Sequence, residues 1–290
     1  MDGVTPAPST PRIAFIDVDG TILEHGALVA PSTVAAIRTA RENGVLVYLC
    51  TGRAGGDIHP SVEAIGFDGA ITNGGVTART GDDIVVSRLM PPAAVERLVA
   101  AFEAHGIHYF LQTDDEVFAT AGMTAMVRDF VRHIQAQDAA EGIERAEDSL
   151  SGLANRTYRD VSDAPRDEIA KAVFVSTEEE GLQTLDAELG DEFHIVPGSM
   201  PLPGGSNGEI ALLGTNKGSA IEIVLAQLGI DAADAVGIGD SWNDIEMFEV
   251  CGTSIAMGNA EPALKALADR VTTSVADDGV WNAFRGLGLV

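Results

Sequence analysis

The sequence predicts an α/β protein in which a parallel sheet is interrupted by an inserted α+β unit. Three observations carry that expectation. Short apolar runs bounded by turn residues, such as Arg12 to Asp17 and Val45 to Cys50, read as strands buried on both faces. The helical spacing between those two runs fits a right-handed parallel crossover. The middle of the chain instead alternates helices with strands that face each other across acidic turns, the pattern of an antiparallel unit. A length of 290 residues, at roughly 150 per domain, is in keeping with two units.

Taken in order, Pro6, Pro8 and Pro11 mark residues 1–11 as a flexible tail. The first strand ends at a Gly20 turn. Pro31-Ser32 starts a helix in which Val34, Ile37 and Ala40 keep helical spacing and Gly44 stops it. Val45 to Cys50 is the second strand and Gly69 to Thr72 a third, followed by the hairpin-type turn Asn73-Gly74-Gly75. From about Asp82 the pattern changes to a strand over 84–87, a helix from Pro91-Pro92 to His105, strands over 107–113 and 116–121, and a helix over 124–137. A polar stretch over 137–167, a strand over 171–176, a helix around 178–189 and a strand over 193–197 continue it. The Gly/Pro-rich stretch 197–208 offers an exit. Beyond it come a helix over 217–228, a strand over 235–239, a helix over 242–250, a strand over 253–257, a helix over 262–268 and a terminal helix from Gly279. The expected division is therefore 12–82 with 209–290 as the core, and 83–208 as the insert.

Apolar residues make up 46% of the chain and charged residues 21%, enough apolar material for packed cores. With 18 Lys+Arg against 44 Asp+Glu the net charge is -26, which repels nucleic acid and anionic membranes. No run of 18 apolar residues occurs, and the first eleven residues lack a basic start and an apolar segment, so neither a membrane span nor a standard secretion signal is expected. Cys50 and Cys251 show no metal-ligand or disulfide-framework spacing, and a reduced cytoplasm fits them best. No heptad or long apolar stripe separates a monomer from a homodimer.

Four short segments carry the chemistry. The first strand runs into Asp17-Val18-Asp19-Gly20-Thr21, which places polar side chains at the carboxyl end of a parallel sheet, where open α/β sheets bind ligands. Two carboxylates there call for a compensating cation; an acidic turn is the bland alternative. The strand over 235–239 runs into Asp240-Ser241-Trp242-Asn243-Asp244, again a carboxylate cluster at a strand end, where helix capping is the competing explanation. Together the two clusters make a hard, oxygen-rich site of the kind Mg²⁺ prefers. Thr51-Gly52-Arg53, with Gly55-Gly56 after it, has the makings of a phosphate cradle, although by itself a plain turn is the better reading. Lys217, one of only three lysines, opens a helix at the positive end of its dipole, a place that makes sense only beside something anionic.

In order and spacing these four segments resemble the four motifs of the haloacid dehalogenase-like hydrolases, and the sequence is similar to the Cof-type subgroup. The resemblance covers nearly the whole chain after residue 12, including the segment over 258–280. It implies a Rossmann-like core with an α+β cap. Asp17 and Thr51 lie 34 residues apart (17 to 51) and Thr51 and Lys217 166 apart (51 to 217), so the insert falls after the second motif, where the larger cap type sits. The implied activity is Mg²⁺-dependent hydrolysis of a small phosphorylated metabolite, a sugar phosphate or a phosphorylated cofactor, through an aspartyl-phosphate. By the same resemblance Asp17 is the nucleophile and Asp19 the general acid and base. Thr51 and Gly52 bind phosphoryl oxygens, and Lys217 balances charge. Asp17, the backbone carbonyl of Asp19, and Asp240 are the metal ligands; Asp244 supports them, and Asn243 contacts phosphate or Lys217. Arg53, Asn73 and Gly74 are candidate substrate contacts, against the readings of a solvated cation and a hairpin turn. A phosphomutase using the same intermediate, and a catalytically silent binding protein on the same fold, are the alternatives.

Other residues weigh less. Among the six histidines only His25 and His59 follow site-bearing strands. Tyr109, Arg156, Tyr158 and Arg159 in the insert suit packing and surface pairing better than ligand recognition.

Overall fold

The computed structural model describes residues 10–24, 28–141, 157–198 and 205–290. Residues 1–9 of the proline-rich tail, His25, Arg156 and parts of the polar stretch over 137–167 and the Gly/Pro-rich stretch over 197–208 lie outside the described residues. The chain divides into two compact units, one of residues 1–52, 58–86 and 216–290, the other of 53–57 and 87–215.

The first unit is built on an eight-stranded sheet. Its strands run Arg270–Val271, Thr253–Ala256, Ala235–Gly239, Ile13–Ile16, Leu46–Cys50, Gly69–Thr72, Thr77–Thr80 and Asp83–Ser87 across the sheet. The first six pair in parallel, and Gly69–Thr72 with Thr77–Thr80 forms an antiparallel hairpin. Every residue of Ile13–Ile16 is buried, which explains why this run is uniformly apolar rather than alternating. Ala14 and Ile16 pack with Ala36, Ile37 and Ala40 of the helix Pro31–Glu42 and with Phe284 of the helix Gly279–Leu287. Ile13 and Phe15 pack on the other face with Ile221 and Val224 of the helix Lys217–Leu228 and with Met247 of the helix Ile245–Val250. Full burial of a side chain the size of Phe15 or Ile16 contributes about 1.5–3 kcal/mol, so this strand anchors both layers.

Strand order decides where the site lies. Ile13–Ile16 sits between Ala235–Gly239 and Leu46–Cys50, parallel to both, so the chain winds outward in both directions from it. The crevice of such a sheet opens at the carboxyl ends of the strands on either side of that switch point. Asp17, Asp240 and Thr51 directly follow the three strands concerned.

The second unit has its own six-stranded sheet, ordered Arg159–Asp160, Val117–Ala119, His108–Gln112, Lys171–Ser176, Ser206–Leu212 and Phe193–Pro197. One face packs Phe102, Phe174, Leu185 and Leu189 with the helices Pro92–Ala104 and Gly181–Leu189. The other packs Phe110 and Val175 with Met123, Val127 and Val131 of the helix Ala121–Glu141.

Two boundaries differ from the expected 83–208. Asp83–Ser87 closes the edge of the first unit's sheet beside Thr77–Thr80, a mostly exposed edge strand in which Val86 alone is buried. Ser206–Leu212, which composition hides behind glycines, is an inner strand of the second sheet, paired with both Lys171–Ser176 and Phe193–Pro197. Residues 209–215 therefore belong to the inserted unit rather than to the core.

Candidate active site

The first unit gathers most of the sequence candidates around one cation. Asn216 caps the helix Lys217–Leu228, its side chain accepting from the Ser219 amide while the Ser219 hydroxyl accepts from the Asn216 amide. That box fixes Lys217 in the first turn. Its Nζ donates to Asp17 Oδ1 and Asp244 Oδ1, each at 2.6 Å, and to Asn243 Oδ1 at 3.2 Å. The side chains of Lys217, Asp17 and Asp244 are 1%, 5% and 0% exposed, so the three charges meet out of water. The cation at the positive helix end thus has the anionic company it needs.

Asp244 has two tasks. Its Oδ2 accepts from the backbone amides of Asp240 and Ser241, both at 3.0 Å, so it closes the turn as a capping group. Its Oδ1 holds Lys217. Gly239 makes room for it, because a Cβ there would lie 2.3 Å from the Asp244 carboxylate. Capping and charge pairing coexist in this one side chain.

Asp240 is held differently. Thr21 Oγ1 donates to its Oδ1 at 3.4 Å and Asn259 Nδ2 to its Oδ2 at 3.3 Å, both long contacts. Asn259 Nδ2 also donates to the Gly20 carbonyl at 2.8 Å, tying the first carboxylate turn to the second. Gly20, at φ +82°, could carry no side chain, since a Cβ would meet Asp240 Oδ2 at 2.1 Å. Asp19 is exposed in the turn where the Ile22 and Leu23 amides both donate to the Val18 carbonyl.

The electrostatics follow from one ammonium among several carboxylates. Burial holds the Asp17 carboxyl well above the usual carboxylate range; Lys217 opposes that, and Asp244 and Asp240 add to it. Burial, with help from Asp244, pushes Asp240 up to about 6. Burial would discharge Lys217, but Asp17 and Asp244 outweigh it and raise its pKa. Three carboxyl groups thus share one ammonium, and Lys217 alone does not balance them.

That imbalance fits a divalent cation. Carboxylate oxygens of Asp17, Asp240 and Asp244 lie within 4.8 Å of one another, an all-oxygen set that suits a hard ion. Both oxygens of Asp244 are engaged by Lys217 and two amides, whereas Asp240 has only long contacts and Asp17 Oδ1 alone binds Lys217. Asp17 and Asp240 are thus less committed to other partners than Asp244.

The phosphate-cradle candidates divide. Thr51 is buried, its amide donating to the Ile71 carbonyl at 2.8 Å and its carbonyl accepting from Gly74 at 3.0 Å. A Cβ on Gly52 would meet Asn243 Nδ2 at 3.7 Å, so the second and fourth segments adjoin. Asn73 and Gly74 both have positive φ, 51° and 67°, in the short turn of the hairpin. The next glycine, Gly75, at φ +108°, abuts the Asn216 carbonyl so closely that a Cβ would lie 2.1 Å from it. Arg53 goes with the second unit, where its Nη1 donates to the Asp57 carbonyl at 3.1 Å. Gly55 and Gly56 depart from the cradle reading: their amides donate to Asp114 Oδ1 (3.1 Å) and to the Asp114 carbonyl (3.0 Å).

The lesser candidates have structural roles. His59 Nδ1 accepts from the Ser61 amide and caps a short helix, Pro60–Glu63. Tyr109 stacks on Phe102 and Tyr158 on Phe110, and Arg159 pairs with Glu116 at 3.0 Å over the Phe118 ring. Cys50 and Cys251 are buried thiols, and burial pushes Cys251 up to about 12. Among the described residues no helix is long and apolar enough to cross a membrane. Sequence reading missed Asn259 and Thr21 as supports of Asp240; the only signal was their place beside strand ends.

Comparison with known proteins agrees with this geometry. The family model of haloacid dehalogenase-like hydrolases matches residues 14–284. A 5-amino-6-(5-phospho-D-ribitylamino)uracil phosphatase of Bacillus subtilis (strain 168) is 28% identical over 274 residues, covering 91% of this chain and 94% of its own. A phosphoglycolate phosphatase of Methanothermobacter thermautotrophicus is 28% identical over 276 residues, covering 94% and 97%. Among solved structures, a haloalkanoate-superfamily phosphatase from Bacteroides thetaiotaomicron superposes with a TM-score of 0.78 at 21% identity over 100% of both chains, a likeness of fold.

Proposed function

The chain belongs to the haloacid dehalogenase-like hydrolases, of Cof type, and from that membership we propose that it is a Mg²⁺-dependent phosphatase of a small phosphorylated metabolite. The observation that carries the reading is Lys217 bridging Asp17 and Asp244 beside Asp240 at the switch point of the sheet. Similarity to phosphatases named for phosphoglycolate and for a phosphoribityl compound supports a small phosphate monoester, a sugar phosphate or phosphorylated cofactor, as substrate.

In this reading Asp17 attacks phosphorus and forms an aspartyl-phosphate. Lys217, held protonated by Asp17 and Asp244, favours the ionised form of Asp17 against the effect of burial and orients it. Asp19, exposed two residues on, gives a proton to the leaving oxygen and later takes one from the water that hydrolyses the intermediate. The Thr51 hydroxyl and the Gly52 amide receive phosphoryl oxygens, with Asn243 beside them. Mg²⁺ bound by Asp17, Asp240 and the Asp19 carbonyl would neutralise phosphoryl charge and so lessen its repulsion of the nucleophile. Residues 87–215 are proposed as the cap that recognises the leaving group, with Arg53, Asn73 and Gly74 as further contacts. Local charge from Lys217 and the metal reconciles an anionic substrate with a chain of net charge -26.

The test is a phosphate-release screen over sugar, polyol, nucleotide and cofactor phosphates with Mg²⁺, repeated with EDTA. Release of inorganic phosphate that stops with EDTA is expected. A phosphorylated isomer as the only product would make the protein a mutase, and no turnover of any ester would defeat the reading.

A further inference from the structure

Asn259 lies in the turn after the strand Thr253–Ala256 and is exposed, yet three bonds hold its side-chain amide. Oδ1 accepts from the Val275 amide at 3.1 Å, while Nδ2 donates to the Gly20 carbonyl at 2.8 Å and to Asp240 Oδ2 at 3.3 Å. Those partners leave one orientation. A backbone N–H can only donate and a carbonyl can only accept, so the nitrogen must face Gly20, and both of its hydrogens are used. The turn that carries Asn259 is anchored to the strand end that carries Asp240, because the Met257 amide donates to the Gly239 carbonyl at 2.9 Å. It is braced further by Lys265 Nζ, which donates to the Gly258 carbonyl at 2.6 Å, and by the Gly258 amide, which donates to the Thr273 carbonyl at 2.9 Å. No side chain fits at Gly258, where a Cβ would lie 2.5 Å from the Ser274 amide nitrogen. Asn259 is thus fixed relative to Asp240, and its shortest bond reaches the turn after Ile13–Ile16 to which Asp17 and Asp19 belong. All of these residues lie in the first unit.

We propose that Asn259 is a positioning residue that sets the spacing between the two carboxylate-bearing turns, and with it how far the cation site favours Mg²⁺ over the larger Ca²⁺. Mg²⁺ demands near-octahedral oxygens at about 2.0–2.1 Å, whereas Ca²⁺ takes oxygens at about 2.3–2.6 Å in a pliable arrangement. A side chain that keeps the two turns from drifting apart therefore matters more to the smaller ion. Removing the hydrogen-bond partners of metal-binding groups commonly weakens metal binding by about 10–100-fold. The inference rests on the Mg²⁺ reading of the site, and its test reads binding rather than turnover.

Dissociation constants of Mg²⁺ and Ca²⁺ are measured on the metal-free full chain by titrating its thermal midpoint. Asn259→Ala opens no cavity, since the side chain is exposed. Its Mg²⁺ constant should rise about tenfold and its Ca²⁺ constant less than about threefold, so the preference for Mg²⁺ falls. Asn259→Asp keeps an acceptor for the Val275 amide but turns an anionic oxygen toward the Gly20 carbonyl. It should retain wild-type protection of the Val275 amide in hydrogen exchange, which alanine loses, and still show the reduced preference. Asn282→Ala removes bonds to the Thr273 hydroxyl and the Asp277 carbonyl beside the same Val275, and should leave the ratio of the two constants at its wild-type value. An unchanged ratio in Asn259→Ala, a wild-type ratio in Asn259→Asp, or an equal fall in Asn282→Ala would each overturn the role of Asn259. A wild-type chain that binds neither ion would overturn the Mg²⁺ reading and this inference together, whereas binding with a ratio indifferent to Asn259 would overturn the inference alone.

Discussion

Two of the three lysines pair with carboxylates from buried positions, and the two units use them in opposite ways. In the inserted unit Lys171 meets Glu209 at 2.8 Å, and the glutamate side chain is 39% exposed. In the core unit Lys217 meets Asp17 and Asp244 at 2.6 Å, all three within 5% of full burial. The distances are nearly alike and the surroundings are not. A half-solvated pair ties two strands together and can relax into water. A buried cation among surplus carboxylates is a charged site kept ready for something else. Surroundings, more than distance, separate a brace from the proposed reaction centre.

Substitutions at the two lysines should have very different costs. Lys217→Met strands Asp17 and Asp244 without their cation and should cost about 3–5 kcal/mol in denaturant unfolding. A loss no larger than that of Lys171→Met would abolish the distinction. Added Mg²⁺ comes next: at a hundredfold excess over its dissociation constant it should stabilise the wild-type chain by about 2.7 kcal/mol, and Asp240→Asn should remove most of the shift in thermal midpoint. An equal shift in that variant would mean that the ion binds elsewhere. Gly20→Ala forces a side chain into Asp240 at a positive φ and should cost about 1–3 kcal/mol. Gly214→Ala, at φ +75° with nothing within 4 Å, bears the backbone strain alone and should cost less in the same assay. The smallest effect is expected for Lys171→Met, about 1 kcal/mol or less, because Glu209 can be hydrated.

Much of the core unit was legible in the sequence because its chemistry sits at strand ends. Asp17, Thr51 and Asp240 each directly follow a short apolar run, and parallel pairing of those runs puts all three at one sheet edge. Lys217 stood out through its place at a helix start. Asn259 was not legible, because an amide in a loop carries no periodic signal and its bond to the Gly20 carbonyl spans 239 positions. The strand Ser206–Leu212 was lost for a related reason: its glycine-bearing pattern looks like a loop until its two antiparallel neighbours are known. The pair Gly55-Gly56 misled in the other direction. Two free-looking amides suggested a phosphate, and an aspartate 59 positions away from Gly55 takes them instead.

If Lys217 holds Asp17 ready as a covalent nucleophile, acid quench during turnover of a ³²P-labelled ester should trap the phosphorylated chain. Label should be retained on the wild-type chain at Asp17 during turnover, and none on Asp17→Asn, whose phosphate release should fall at least about 10⁴-fold while its unfolding midpoint stays close to wild type. Wild-type phosphate release with no labelled chain at any quench time, or turnover undiminished in Asp17→Asn, would contradict it.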